Sequence, residues 1–227
     1  MKAELIVFDL AGTTVKDNKD VHRVLQSALK QFGIEISIAQ ANEVMGIPKP
    51  IAIKQLLEEV KFNSITEEFI MDVHKKFIEE MIDFYQNDSG VGEKSGVSAT
   101  FQKLKRNGIR VVVDTGFDRQ ITNALLARLA WKENGLIDAS VTSDEVERGR
   151  PFPDMIYKAM ELVGVSDVKT VAKVGDTASD LEEGNSAGCA WVIGVTSGAF
   201  TERQLLEIRH THLIHEIPEL LEILKMD

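Results

Sequence analysis

The loop after the first apolar run of this sequence places a carboxylate where it can attack a phosphorus atom. Asp9 directly follows the apolar run 5–8, and small and hydroxyl-bearing residues come after it. A carboxylate presented at the end of a buried strand can act as a nucleophile and form a covalent intermediate. Ala11 stands where a second carboxylate would serve as a general acid. We therefore expect a leaving group that takes no proton from this loop.

Three further loops suit the same chemistry, and each comes after a predicted strand. They are Asp114-Thr115-Gly116 after strand 109–113, Gly149-Arg150-Pro151 after strand 140–142, and Gly175-Asp176-Thr177-Ala178-Ser179-Asp180 after strand 170–174. The carboxyl ends of parallel strands meet at one edge of a sheet, so residues far apart in sequence can share one crevice there. The four loops together predict a single site.

The segment between the first loop and residue 88 is predicted to be entirely helical. In chain order, apolar residues recur at helical spacing over 17–32, and Ser37 is placed to cap a short helix. Pro50 suits the first turn of the next helix, and Ser64 with Glu67 resembles a capping box before a long amphipathic helix. The polar, glycine-rich stretch 87–96 then marks a linker.

Beyond this linker, strands alternate with helical stretches, and 190–195 is the last predicted strand. Such alternation predicts a parallel sheet that is covered on both faces. The strand before Asp9 cannot stand alone, so it must join this sheet, and the helical block is an insertion. We predict an α/β fold, a Rossmann-like doubly wound parallel sheet in a core domain (1–15 and 92–227). An all-helical cap domain (16–91) would close over the carboxyl ends of the strands.

Composition and charge argue against several classes of partner. The 227 residues carry a formal net charge of −10, which disfavours nucleic acid and an anionic membrane surface. The lone cysteine, Cys189, excludes an intrachain disulfide framework, and no signal peptide is visible, so we expect a cytoplasmic protein. The first helix of the cap could pair with a second copy, which leaves a homodimer through the cap open.

In this order, the four loops resemble the motifs of the haloacid dehalogenase superfamily over the whole α/β part of the chain. Within that superfamily, three features are similar to phosphonatase (phosphonoacetaldehyde hydrolase): Asp9-Leu10-Ala11-Gly12-Thr13, an arginine at 150 where lysine is commoner, and Met45-Gly46 followed by Lys49. Two positions depart from the phosphonatase pattern, since Ala52 replaces a histidine and Phe117 replaces a tyrosine.

The resemblance implies hydrolysis of a small phosphonate or phosphate through an aspartyl-phosphate on Asp9. Mg²⁺ would be held by Asp9, the backbone carbonyl of Ala11 and Asp176, with Asp180 behind them. The phosphoryl oxygens would be bound by Thr115, the backbone N–H of Gly116, and Arg150.

Lys49 offers a way to stabilise the leaving group without a general acid. A neutral lysine amine condenses with an aldehyde or ketone, and the cationic imine accepts electrons when a neighbouring bond breaks. With a 2-oxoalkylphosphonate, the carbon–phosphorus bond would cleave while Asp9 takes the phosphoryl group. Met45 and Gly46 would then border the substrate pocket. This chemistry requires Lys49 to reach the core site and to have a lowered pKa there.

Simpler interpretations stay open. Asp9 and Thr115 could be turn residues, and Asp176 and Asp180 could be helix caps. Arg150 could be a solvated residue, with Arg148 in its role. Lys49 could be a solvated loop residue. The five histidines show no metal-ligand spacing, and Asp118 with Arg119 marks a helix start. At the level of function, a phosphatase without imine chemistry, a metal-independent dehalogenase and a non-catalytic binding protein are the alternatives.

Overall fold

In the computed structural model, which describes residues 2–225, a parallel β-sheet lies at the centre of the chain. Its strands are β1 (Leu5–Asp9), β2 (Arg110–Thr115), β3 (Ala139–Thr142), β4 (Val171–Gly175), β5 (Trp191–Val195) and β6 (His212–Ile214). The order across the sheet is β3-β2-β1-β4-β5-β6, and all neighbours are parallel. The predicted fold class is confirmed. The short strand β6 was not predicted, because three residues among polar neighbours give no clear alternation.

Strand β1 lies between β2 and β4, so both of its edges are paired. All of its residues are buried. Ile6 and Phe8 belong to one hydrophobic cluster, and Leu5 and Val7 belong to another. Successive side chains of a strand point to opposite faces, so the two clusters are the two layers of a doubly wound fold. The end of β1 is therefore held rigidly at the middle of the sheet.

The chain between β1 and residue 88 is helical, as predicted. Its helices are α1 (Asp20–Gln31), α2 (Ile38–Glu43), α3 (Lys49–Glu59) and α4 (Glu67–Asn87). Their apolar side chains join the same cluster as Ile6 and Phe8. The predicted cap of α2 is confirmed, because the Ser37 hydroxyl accepts the backbone N–H of Gln40 at 3.1 Å.

The predicted cap of the longest helix is wrong by two residues. Thr66, not Ser64, precedes α4, and its hydroxyl accepts the backbone N–H of Phe69 at 3.1 Å. Thr66 has the extended backbone that an N-cap requires, with φ −114° and ψ 158°. A capping residue must directly precede the first turn, so Ser64 lies outside the helix.

The remaining helices cover the sheet. They are α5 (Val97–Arg106), α6 (Arg119–Leu129), α7 (Asp154–Val163), α8 (Ala178–Ala187), α9 (Glu202–Leu206) and α10 (Leu220–Ile223). The predicted helix start at Asp118 is confirmed, because its carboxylate accepts the backbone N–H of Ile121 at 3.0 Å. Within residues 2–225, no helix has both the length and the apolar character needed to cross a bilayer.

The turn between α2 and α3 packs closely against loops at the carboxyl edge of the sheet. Gly46 has φ +83°, and a Cβ there would lie 2.3 Å from Thr177 Oγ1. A Cβ on Gly149 would lie 2.5 Å from Cγ of Pro48. A side chain at either glycine would therefore push this turn away from the sheet. The close packing holds Lys49, the first residue of α3, against the carboxyl ends of the strands.

Candidate active site

A pocket lies at the carboxyl ends of β1, β2 and β4, and the turn before α3 closes its opposite side. It encloses about 400 Å³ including its mouth, a volume that suits a small molecule. The predicted site residues that line it are Asp9, Ala11, Met45, Gly46, Lys49, Thr115, Gly116, Arg150 and Asp176. Asp180 is buried behind this wall. The structure thus brings all of the predicted site residues together.

Arg150 is buried and holds the carboxylate of Asp9. Its Nη1 donates to Asp9 Oδ1 at 2.7 Å, its Nε donates to Glu183 Oε2 at 3.0 Å, and its Nη2 donates to the carboxylate of Asp114. Burial opposes the charge, but the surrounding carboxylates, Asp114 foremost, raise the pKa of Arg150 well above its ordinary value. The interpretation of Arg150 as a solvated residue is therefore wrong.

Arg148, the substitute considered for Arg150, lies at the surface. Its Nη2 donates to Asp154 Oδ1 at 2.9 Å, and its side chain is about half exposed. It does not line the pocket. Of the two arginines, Arg150 is therefore the one that lines the pocket.

A second buried cation, Lys173, was missed by the sequence reasoning. It lies in the middle of β4, where its Nζ is 2.9 Å from Glu183 Oε2 and 3.2 Å from Asp180 Oδ1, and it also contacts the carboxylate of Asp114. Burial and the charge of Arg150 lower the pKa of Lys173, but these carboxylates raise it above its ordinary value overall. A lysine inside an apolar strand must find carboxylate partners, and this was the available signal.

Glu183 completes this network from α8. It is fully buried, and burial together with the charge of Asp114 raises its pKa to about 8. The group Asp114, Asp180 and Glu183 has the spacing of a metal site, but Arg150 and Lys173 already contact all three carboxylates. It therefore forms a buried ion network that positions Arg150.

A different acidic cluster, formed by Asp9, Asp176 and Asp180, fits a divalent cation. One oxygen from each carboxylate lies within 4.8 Å of the others, and all three are buried. Burial and the charge of Asp180 raise the pKa of Asp9 to about 6, while burial and the charge of Asp9 raise that of Asp176 to about 8. Carboxylates this close repel one another, and a cation among oxygen ligands relieves this repulsion.

Asp176 is held in place by the loop after Asp9 and by the loop after β5. Its Oδ1 accepts from the Thr13 hydroxyl at 2.9 Å, and its Oδ2 accepts from the backbone N–H of Ala199 at 2.6 Å. Gly12 has φ +90°, and a Cβ there would lie 2.2 Å from Oδ2. The loop following Asp9 therefore needs glycine at position 12 to let the Asp176 carboxylate approach.

Asp180 has contacts that fit both of its predicted roles. Its Oδ2 accepts from the backbone N–H of Thr177 at 3.1 Å and from the Thr177 hydroxyl at 2.6 Å, so it belongs to the capping box of α8. Its Oδ1 lies 2.9 Å from Arg150 Nη1. Since both oxygens have partners in the protein, Asp180 supports the acidic cluster from behind.

We expect divalent cations to raise the unfolding temperature of this protein through the acidic cluster. A ligand that binds only the folded chain adds about 2.7 kcal/mol at 100 times its Kd. Asp176→Asn should remove most of this shift, whereas Asp154→Asn, which alters a surface ion pair with Arg148, should retain it. Thermal unfolding with increasing MgCl₂ or MnCl₂ measures the effect. An equal shift in both variants would place the cation elsewhere.

Thr115 and Phe117 form the wall of the pocket that follows β2. The Thr115 hydroxyl oxygen accepts the backbone N–H of Phe117 at 3.2 Å, so the predicted turn role is also present. Its own O–H has no acceptor within residues 2–225, which leaves it to donate to a ligand. The buried ring of Phe117 faces Lys49.

Lys49 is 3% exposed, and its amine lies beside the aromatic rings of Phe117 and Phe77. Its Nζ is 5.6 Å from the ring centroid of Phe117 and 5.8 Å from that of Phe77. Within the described residues, no carboxylate lies within 4.0 Å of this Nζ. Burial lowers the pKa of Lys49 to about 8, although the charge of Asp9 opposes this. The interpretation of Lys49 as a solvated loop residue is therefore wrong.

The pocket also contains residues that sequence reasoning did not assign to it. They are Asp17, Val21, Phe117, Thr177 and Ala199. Asp17 and Val21 carried only the signal of a helix start, and the loop after β5 carried no chemical signal. Their place in the pocket depends on how α1 and that loop pack beside Asp9.

Comparison with known proteins identifies the family of this chain. The family profile "Haloacid dehalogenase-like hydrolase" matches residues 6–194, and the chain belongs to this family. It is thus a hydrolase of the haloacid dehalogenase-like class.

Within the family, the chain is phosphonatase-like. It is 34% identical over 212 residues to a phosphonoacetaldehyde hydrolase from Bacillus cereus (strain G9842), covering 88% of this chain and 78% of that protein. It is 33% identical over 208 residues to a bifunctional phosphonoacetaldehyde hydrolase/aminoethylphosphonate transaminase from Clostridioides difficile (strain 630). That match covers 87% of this chain but only 32% of the longer bifunctional protein.

Solved structures show the same fold. A phosphonoacetaldehyde hydrolase like protein from Oleispira antarctica superposes with a TM-score of 0.84 at 25% identity, over 99% of this chain and 92% of that one. A hydrolase from Pseudomonas syringae superposes with a TM-score of 0.87 at 20% identity, over 99% and 98%.

Proposed function

We propose that this protein is a Mg²⁺-dependent hydrolase that cleaves the carbon–phosphorus bond of a small 2-oxoalkylphosphonate. The reaction proceeds through an aspartyl-phosphate on Asp9 and a Schiff base on Lys49. The observation that carries this proposal is the buried amine of Lys49, which shares a pocket with Asp9 and has a pKa lowered to about 8. The relatives named phosphonoacetaldehyde hydrolase support the choice of substrate class.

The core residues receive the phosphoryl group. Mg²⁺ bound by Asp9, the carbonyl of Ala11 and Asp176, with Asp180 behind them, would neutralise charge on the phosphoryl oxygens. Asp9 attacks phosphorus, and Arg150 keeps this carboxylate in position from 2.7 Å away. Thr115 and the backbone N–H of Gly116 donate to the transferred oxygens.

Lys49 stabilises the leaving carbon. Its neutral amine bonds to the substrate carbonyl, and water leaves as the cationic imine forms. When the carbon–phosphorus bond breaks, its electron pair moves into the imine to give an enamine. Ala11 provides no proton, and this route needs none at the moment of cleavage. Met45 and Phe117 enclose the carbon chain with apolar surface.

We assign residues 16–91 to a cap and the remainder to the core, because the turn that carries Lys49 belongs to the inserted helices. The close packing at Gly46 and Gly149 describes a closed arrangement. Opening of the cap would admit substrate.

We expect borohydride reduction in the presence of phosphonoacetaldehyde and Mg²⁺ to modify Lys49. Reduction converts the imine to a stable secondary amine, which mass mapping locates. Lys54 lies on the same helix with its side chain 57% exposed, so Lys54→Arg should still be trapped and Lys49→Arg should not. Release of phosphate without an adduct on Lys49 would instead support a phosphatase of the same family.

We also expect imine formation to rise with pH and to level off near pH 8. Burial lowers the pKa of Lys49 to about 8, so below this value the fraction of neutral amine grows about tenfold per pH unit. Cyanoborohydride trapping at fixed substrate concentration measures this profile. A rate that keeps rising to about pH 10, the ordinary range of lysine, would show that the reacting amine is solvated.

The other functional alternatives have less support. A metal-independent dehalogenase has no use for the buried cluster of Asp9, Asp176 and Asp180. A non-catalytic binding protein is at odds with the assignment to a hydrolase family and with a nucleophile held by a buried arginine.

A further inference from the structure

Asp17 lies in the pocket wall, and none of the steps described above uses it. Its Oδ1 accepts the backbone N–H groups of Asp20 at 2.6 Å and Val21 at 3.2 Å, which fixes the carboxylate at the start of α1. Its Oδ2 has no hydrogen-bond donor within residues 2–225, and His22 Nδ1 is 3.9 Å away from it. The side chain is 8% exposed. The pocket thus contains an oriented carboxylate with one oxygen left for a ligand.

The other titratable groups of the pocket wall already have a role in the proposed reaction. Asp9 is the nucleophile, Asp176 belongs to the acidic cluster, and Arg150 is a permanent cation held by carboxylates. Lys49 itself must lose a proton before it can bond to carbon. Of the described residues that line the pocket, Asp17 is therefore the one left to exchange protons during Schiff-base formation. Its charge also acts on Lys49 and raises the pKa of that amine, against the larger effect of burial.

We propose that Asp17 is the acid–base residue of the Schiff-base step, an inference that rests on the proposed function. The neutral amine of Lys49 adds to the carbonyl carbon, the carbonyl oxygen takes a proton from solvent to become a hydroxyl, and Asp17 accepts the proton that the nitrogen loses. Asp17 returns its proton to the hydroxyl of the carbinolamine, which leaves as water while the C=N bond forms. Asp17 ends as a carboxylate, as it began, and the imine carries the positive charge of the proton taken from solvent.

Asp17 and Lys49 line the same pocket without a direct contact. Among the described residues, no ion pair of 4.0 Å or less joins Asp17 to Lys49. In the proposed step, the proton therefore passes through the carbonyl oxygen of the substrate or a water molecule beside it. General acid–base assistance of this kind contributes about 10²–10⁴-fold to a rate.

The test follows imine formation alone, using acetaldehyde as a probe that requires no phosphoryl transfer. Cyanoborohydride trapping at Lys49 gives the rate. Asp17→Asn is expected to slow trapping by about 10²-fold or more, and Asp17→Glu, which keeps a carboxyl group, to recover part of the loss. Asp20→Asn is the matched control, because it removes the same charge from the first turn of α1 but lies outside the pocket wall. Added formate should accelerate trapping in Asp17→Ala, which a purely structural role would not allow.

Each outcome bears on one of the two proposals. Wild-type rates in Asp17→Asn, or an equal loss in Asp20→Asn, would overturn the role of Asp17 while leaving the Schiff base intact. Failure of formate to act on folded Asp17→Ala would do the same. A wild-type protein that is never trapped at Lys49 would instead contradict the proposed function, and the role of Asp17 with it.

Discussion

Replacing Lys49 with methionine is expected to lower the turnover of phosphonoacetaldehyde by about 10⁴-fold or more, because covalent activation of the leaving carbon is lost. Methionine keeps an unbranched apolar stem beside the rings of Phe77 and Phe117 but offers no amine. Phosphate release with saturating Mg²⁺ measures the effect. An aryl phosphate, whose leaving group needs no imine, should lose far less activity than the phosphonate.

Two further variants make this result interpretable. Lys49→Arg preserves a cation in the pocket but forms no imine under these conditions, so it should lose as much activity as the methionine variant. Lys54→Met removes an exposed lysine from the same helix and should stay near the wild-type rate. Equal losses on phosphonate and aryl phosphate would indicate that Lys49 contributes charge or packing instead of covalent chemistry.

Replacing Lys173 with methionine is expected to lower the free energy of unfolding by about 3–5 kcal/mol. Removing one partner from a buried ion network leaves uncompensated charge in a medium that solvates it poorly. Asp114, Asp180 and Glu183 would then share the single cation Arg150. Urea unfolding followed by circular dichroism, with a chelator present, measures the change without a contribution from bound metal.

Lys105 provides the matched control. Its Nζ lies 2.8 Å from Asp138 Oδ1, but its side chain is 28% exposed. Ion pairs that water can reach contribute about 0–1 kcal/mol, so Lys105→Met should cost little. A loss below about 1 kcal/mol in Lys173→Met as well would show that the buried carboxylates take up protons and need no second cation.

The sequence predicted those parts of the site that depend on local pattern. Asp9, Thr115, Arg150 and Asp176 could be placed because each follows an apolar strand, and parallel strands end at a common edge. The helical insertion was predictable for a similar reason, since its apolar residues recur at helical spacing.

What the sequence could not predict depends on contacts between distant segments. Lys173 on β4 and Glu183 on α8 form an ion pair, and nothing in the sequence of either segment identifies the partner. Asp17 looked like the start of a helix, and only the packing of α1 beside the nucleophile loop places it in the pocket. The N-cap of α4 was misplaced because the hydroxyl residues Ser64 and Thr66 stand close together in the sequence. Thr66 directly precedes the helix and has the extended backbone that an N-cap requires.

The contact between Gly46 and Thr177, together with that between Pro48 and Gly149, has a kinetic consequence. These contacts hold the turn before α3 against the loops of the sheet, and in the cap arrangement proposed above a product molecule departs after they separate. The dwell time of the product is then governed by how often these surfaces separate. A bulkier residue at position 46 would hasten departure, and the reactive amine would meet water more often between cycles.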